Sequence, residues 1–170
     1  RQVLWKQVEE AAQAPWFLGE RFSAIDLYIA VMTHWRPGRK WFVANTPKGR
    51  LVLRVGRQSA ELDGLLTSHG VTTWAYVTAF NPGSRLLPAE ANEARQRDLQ
   101  RVIAERGFVS YPGAGIGDDG RWPSEASLLV LGIGRTEALR LGRDFGQLAI
   151  VYGDLGREAE LLICNRNSEE

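Results

Sequence analysis

Five polar side chains lie beside strand-like and helical runs in positions where they could hold a small molecule: Asn81, Asn92, Arg95, Glu125 and Gln147, with Trp122 near Glu125. Carboxamides and a guanidinium can grip a small polar or anionic ligand. Glu125, if partly buried, could serve as a general base with a raised pKa. The same residues have a second reading. Asn81 precedes Pro82 and suits a turn, Arg95 and Glu125 can form a structural ion pair, and Gln147 can satisfy loop carbonyls. The sequence leaves both open. No activated nucleophile is marked, because Ser84, Thr78 and Ser127 have no histidine beside them in sequence. His34 falls in an N-terminal helical piece and His69 at a helix end. A catalytic role is therefore expected of Glu125 alone, and ligand binding of Asn81, Asn92, Arg95, Trp122 and Gln147.

Whether these residues meet depends on the elements that carry them. Trp74–Pro82, WAYVTAFNP, is rich in aromatic and β-branched residues and stops at Asn-Pro-Gly, so it predicts a buried strand over about 73–80. Residues 126–133, ASLLVLGI, form a second apolar run that fits a central strand. Between them the charged segment 89–106 carries Ala91, Ala94, Leu99, Val102 and Ile103 at helical spacing, closed by Gly107. A short strand at 108–111 and a glycine-rich loop at 112–123 follow. A helix capped by Thr136 is expected to run to Phe145, then a hairpin of 148–152 and 160–164. Ahead of this core, 41–44 and 51–55 read as a hairpin, and Ser59 to Gly70 reads as a capped helix.

From residue 73 the order is strand, helix, strand, strand, helix, strand, which predicts an α+β, ferredoxin-like split βαβ core with a mixed or antiparallel sheet and both helices on one face. The hairpin and helix of 41–70 would extend that core, and two helices would precede it. In that topology Asn81, Glu125 and Gln147 fall at the same edge of the sheet, together with Asn92 and Arg95 from the first turns of the helix.

Residues 2–13 and Ser23 to about Trp35 have the spacing of those two preceding helices; Ser23 and Asp26 form a variant of the capping box. The expected division is a helical piece at 1–40 and an α+β domain at 41–170. The run W-x-x-V-E followed by PWFLGERFSAIDLYIAV resembles the end of the C-terminal helical domain of glutathione transferases, on Gly19, Ser23 and Asp26, over residues 1–36. The thioredoxin-like half that would carry that chemistry is absent, so the resemblance implies a folding motif only. Residues 41–165 resemble an uncharacterised bacterial domain family, on the set Trp74–Ser84, Asn92–Leu99, Trp122–Ile133 and Phe145–Ile150. That resemblance implies one domain and no particular reaction.

Composition narrows the partners. The chain has 170 residues, 44% of them hydrophobic, enough for a core. It carries 21 basic against 20 acidic residues, so no overall charge steers it to nucleic acid or an anionic membrane. Arginine outnumbers lysine, which fits genome composition before phosphate recognition. No apolar run reaches the roughly 20 residues a membrane helix needs. The chain starts at Arg1 without a charged-then-apolar leader, and reads as a fragment with no secretory peptide. A single cysteine, Cys164, suits a reducing cytoplasm and makes no zinc site. Gly115-x-Gly117-x-x-Gly120 is followed by Arg-Trp-Pro and a strand instead of a helix, so it is no dinucleotide fingerprint. Asp118 and Asp119 match no calcium loop. Arg95, Arg97, Arg101 and Arg106 are interleaved with Glu90, Glu93, Asp98 and Glu105, which reads as a solvated face more than an RNA surface. The expectation is a small cytoplasmic domain that binds a polar or anionic ligand or associates with protein through its N-terminal helices. No nucleic acid, membrane, cofactor or metal is expected; the alternative is an enzyme using Glu125 as acid and base.

Overall fold

The computed structural model describes residues 41–116 and 124–164. The two helices expected over 1–40 lie outside the described residues, as do Gly117 to Pro123. The elements in chain order are β1 (Trp41–Thr46), β2 (Gly49–Leu53), α1 (Ala60–Ser68), β3 (Thr73–Val77), a 3-10 turn (Pro82–Ser84) and α2 (Ala89–Glu105). Then come β4 (Val109–Ile116), β5 (Glu125–Leu131), α3 (Arg135–Asp144), β6 (Ala149–Asp154) and β7 (Glu160–Ile163).

All seven strands form one antiparallel sheet in the order β2-β1-β4-β5-β3-β6-β7. This corrects the expected fold class. In place of a ferredoxin-like core with an appended hairpin, the structure is a β-rich, curled half-barrel sheet. The hairpin β1–β2 is part of the ladder because β1 pairs with β4 from Trp41↔Ile116 to Ala44↔Gly113. Helices α2 and α3 share one face of the sheet and α1 covers the other, and the strand alternation explains how. Ala75 and Val77 of β3, Leu128 and Val130 of β5 and Ile150 and Tyr152 of β6 pack with Leu99 and Ile103 of α2 and Ala138 and Leu141 of α3. Their alternate neighbours, Trp74, Tyr76, Leu129, Leu131 and Val151, pack with Leu62, Leu65 and Leu66 of α1. A strand buried on both sides reads as a continuous apolar run, which is the pattern of the two central strands.

The sheet curls around α1. Leu51 and Leu53 of β2, at one edge, and Ala159, next to β7 at the other, belong to the same apolar cluster as α1. The two edges touch at a parallel bridge between Val55 and Ala159, with Gly56 N donating to Ala159 O at 2.7 Å and Ala159 N to Arg57 O at 3.0 Å. Asp63 of α1 fastens this junction: its carboxylate accepts from Gly156 N at 2.9 Å and from Gln58 Nε2 at 2.7 Å. The helix starts as its sequence dictates, with Ser59 Oγ accepting from Leu62 N at 3.2 Å.

Strand β4 runs through Pro112 and Gly113, where a loop is expected from composition. Gly113 is required there by crowding. A Cβ on it would collide with the Val43 carbonyl oxygen and the Tyr76 hydroxyl, which are themselves joined at 2.7 Å. Helix α3 begins at Arg135 with Gly134 as its cap, two residues ahead of the expected Thr136 cap.

Leu66 is fully buried at the centre of the α1 cluster. Leu66→Ala is expected to destabilise the fold by about 2–5 kcal/mol, measured by urea denaturation. Burial also pushes the Cys164 thiol up from 9.0 to about 11 and raises the Tyr76 phenol well above its ordinary value. Both groups hold their protons more tightly in the folded chain. Stability from them is therefore intact at neutral pH and falls as the pH rises above 9.0, where the unfolded thiol ionises first. Urea midpoints measured from pH 7 to 11 should decline in that alkaline window, and less steeply in Cys164→Ala.

Candidate functional site

Strand β3 is expected to reach Phe80 but its ladders stop at Val77↔Leu128 on one side and Tyr76↔Val151 on the other. Beyond that point side chains replace the neighbouring strands as hydrogen-bond partners. Ala79 N donates to Gln96 Oε1 at 3.0 Å, and Ala79 O accepts from Arg95 Nε at 3.0 Å. Phe80 N donates to Thr78 Oγ1 at 3.1 Å, and Phe80 O accepts from Gln147 Nε2 at 3.0 Å. Asn81 N donates to Asn92 Oδ1 at 2.8 Å. Five successive main-chain groups are thus held by five side chains drawn from β3's own end, from α2 and from the approach to β6.

Asn81 then takes the left-handed conformation, φ 46° and ψ 59°, the sole non-glycine residue with positive φ among the described residues. Asparagine tolerates that region better than most residues, but it remains sparsely populated. The surroundings fix it. Asn81 Oδ1 accepts from Leu87 N at 3.0 Å and from Asn92 Nδ2 at 2.9 Å. Asn81 Nδ2 donates to Glu125 Oε1 at 2.6 Å. Because a main-chain N–H can only donate, Leu87 N defines which end of the Asn81 carboxamide is oxygen, and Asn81 N does the same for Asn92. Both carboxamides are buried, at 6% and 5% exposure, while Glu125 is half-buried at the start of β5.

The loop that follows is equally constrained. Gly83 N donates to Gly146 O at 2.7 Å, Arg85 N to Pro82 O at 3.2 Å, and Asn92 Nδ2 to Leu87 O at 3.2 Å. Arg95 Nη2 donates to Phe145 O at 2.6 Å, tying α2 to the end of α3. Leu86 stands out from this anchored loop at 68% exposure.

Five of the six residues singled out in the sequence therefore lie in one network: Asn81, Asn92, Arg95, Glu125 and Gln147. Trp122 lies outside the described residues. Within the network Arg95 and Gln147 serve main-chain carbonyls, whereas Asn81 carries the contact to the Glu125 carboxylate. Sequence reasoning missed Gln96 and Thr78. Gln96 had a legible signal, since it lies one helical turn after Asn92 and in register with Leu99 and Ile103; the helix buries Asn92 where Ala94 is expected to face inward. The nearby hydroxyls are committed to the fold: Thr78 Oγ1 donates to Ala126 O at 2.7 Å, and buried Ser127 Oγ to Glu125 O at 3.0 Å. His69 contacts the Tyr111 hydroxyl at 2.9 Å, on α1's end. No group of three or more ligating side chains that could hold a metal is present among the described residues.

The carboxylate-bearing network falls within one stretch of chain that can be compared with known families. Residues 77–150 match the family model described as Protein of unknown function (DUF3293). The matched stretch begins at the last residue of β3 and ends inside β6, so it holds every residue of the network. It marks a domain of unknown function. No curated protein and no solved structure matches the chain, so the glutathione transferase resemblance of residues 1–36 gains nothing from these comparisons. No helix among the described residues is long and apolar enough to cross a membrane. On α2, Arg97 pairs with Glu93 at 3.9 Å and Arg101 with Asp98 and Glu105 at 3.6 and 2.9 Å, so part of its basic face is neutralised locally.

The Asn92 side chain makes three bonds to the loop, to Asn81 N, Asn81 Oδ1 and Leu87 O, and its removal leaves Asn81 N and Leu87 O without that partner, while Asn81 Oδ1 keeps only Leu87 N. Asn92→Ala is expected to cost about 1–3 kcal/mol or more of stability, whereas Arg97→Ala, at an exposed pair, should stay within about 0.5 kcal/mol, both read from urea midpoints.

Proposed function

We propose that residues 41–164 form a binding module for a small polar ligand, with the Glu125 carboxylate as its principal contact. The observation that carries this reading is the way Glu125 is held. Oε1 of a half-buried carboxylate accepts from a buried carboxamide, and that carboxamide sits on the one non-glycine residue with positive φ among the described residues. A rigid turn alone could be made by glycine at lower strain; an asparagine there also orients an acceptor. A carboxylate so placed suits ligands with an ammonium, amide or hydroxyl donor. Arg95 and Gln147 contribute by keeping the loop in place. Residues 1–40 would join this module to a larger polypeptide or to a protein partner, as their resemblance to a helical domain suggests. The lone, buried Cys164 supports a reducing, cytoplasmic setting.

The test is a thermal-shift screen of the whole chain against amines, amino acids, amides and polyols. A true ligand at 100 times its Kd should add about 2.7 kcal/mol to stability. That gain should vanish in Glu125→Gln, whose carboxamide oxygen can still accept from Asn81, and persist in Arg101→Ala. An equal response in Glu125→Gln and the parent would overturn the assignment of Glu125.

A further inference from the structure

Gln96 carries a second observation, independent of what Glu125 does. Its side chain leaves α2 on the face that packs against the sheet, and its Oε1 accepts from Ala79 N at 3.0 Å. That bond fixes the carboxamide, because exchanging the oxygen and nitrogen would set two donors against each other. Nε2 is then committed to a position closed to solvent, and no acceptor of the protein meets it. It is the one buried side-chain nitrogen or oxygen among the described residues in that situation. The contrast with its surroundings is sharp: the adjoining carboxamides of Asn81, Asn92 and Gln147 all donate to protein oxygens.

A buried amide N–H without an acceptor is strongly disfavoured, and in folded proteins such groups are met by ordered water or by a ligand atom. We infer that Gln96 Nε2 donates to an oxygen acceptor bound from outside the chain, in an enclosed position behind the exit of β3. Two sources supply that chemistry, a solvent water or the oxygen of a small carboxylate. The same carboxamide holds Ala79 N through its oxygen, so its nitrogen is fixed next to the end of β3. Gln96 would then do two things at once: hold the end of β3 with its oxygen and hold the guest with its nitrogen.

The experiment is nuclear magnetic resonance on the full chain, following the side-chain Nε2 protons of Gln96, with formate as the probe for a carboxylate. The expected result is a cross-peak from these protons to a bound water, unchanged by formate if the guest is solvent, and lost with a shift of the Gln96 resonances if a carboxylate takes its place. Either outcome supports the inference. Absence of both a water cross-peak and a formate response, or a crystal structure with Nε2 donating to a protein oxygen or packed dry, would overturn it. Neither result depends on Glu125, so this position and the proposed ligand site stand or fall separately.

Discussion

The structure depends on how β3 is ended. A central strand that leaves its neighbours must find new partners for every main-chain group it withdraws, and here each of the five groups from Ala79 N to Asn81 N is met by a side chain. Those side chains come from Thr78, Asn92, Arg95, Gln96 and Gln147. The strand exit is thereby tied to the first turns of α2 and to the approach to β6, and the three cannot move independently. The left-handed residue that follows is sustained by the same bonds, which is how a sparsely populated conformation persists in a folded chain.

The sheet supplies the second constraint. Because β3, β5 and β6 are apolar on both faces, each must be covered twice, by α2 and α3 on one side and α1 on the other. Covering the second face with one short helix of nine residues is possible only if the sheet bends around it. The crowded contact of Gly113 against Val43 and Tyr76 is part of that closeness. The architecture thus follows from apolar area that has nowhere else to go.

Much of this was legible in the residues. The aromatic and β-branched run from Trp74 to Val77, the caps at Ser59 and Gly70 and the stop at Gly107 correspond to elements that form where the patterns place them. The assignment to a ferredoxin-like fold failed because sequence order does not say how far a sheet continues. Nothing in residues 41–46 announces that they pair with Gly113 to Ile116, across some seventy positions of chain. Pro112 and Gly113 look like a loop because glycine signals flexibility more often than crowding. The early end of β3 was hidden for a different reason: Thr78 to Phe80 have strand composition, and only side chains distant in sequence, such as Gln96 and Gln147, draw them out of the ladder. Asn81, Asn92, Arg95, Glu125 and Gln147 could be brought together on paper because they border the central runs. The bonding among them, in which Arg95 and Gln147 serve the main chain, could not.

The junction of the sheet's two edges bears on the order of folding events. Val55 and Ala159 are about a hundred residues apart in sequence and meet at one bridge, whereas the six strand ladders can zip from shorter connections. Closing so long a span carries an entropy penalty repaid by few bonds, so this seam completes late and is where the native state first breathes. Helix α1 packs in the same apolar cluster as the strands on either side of that seam.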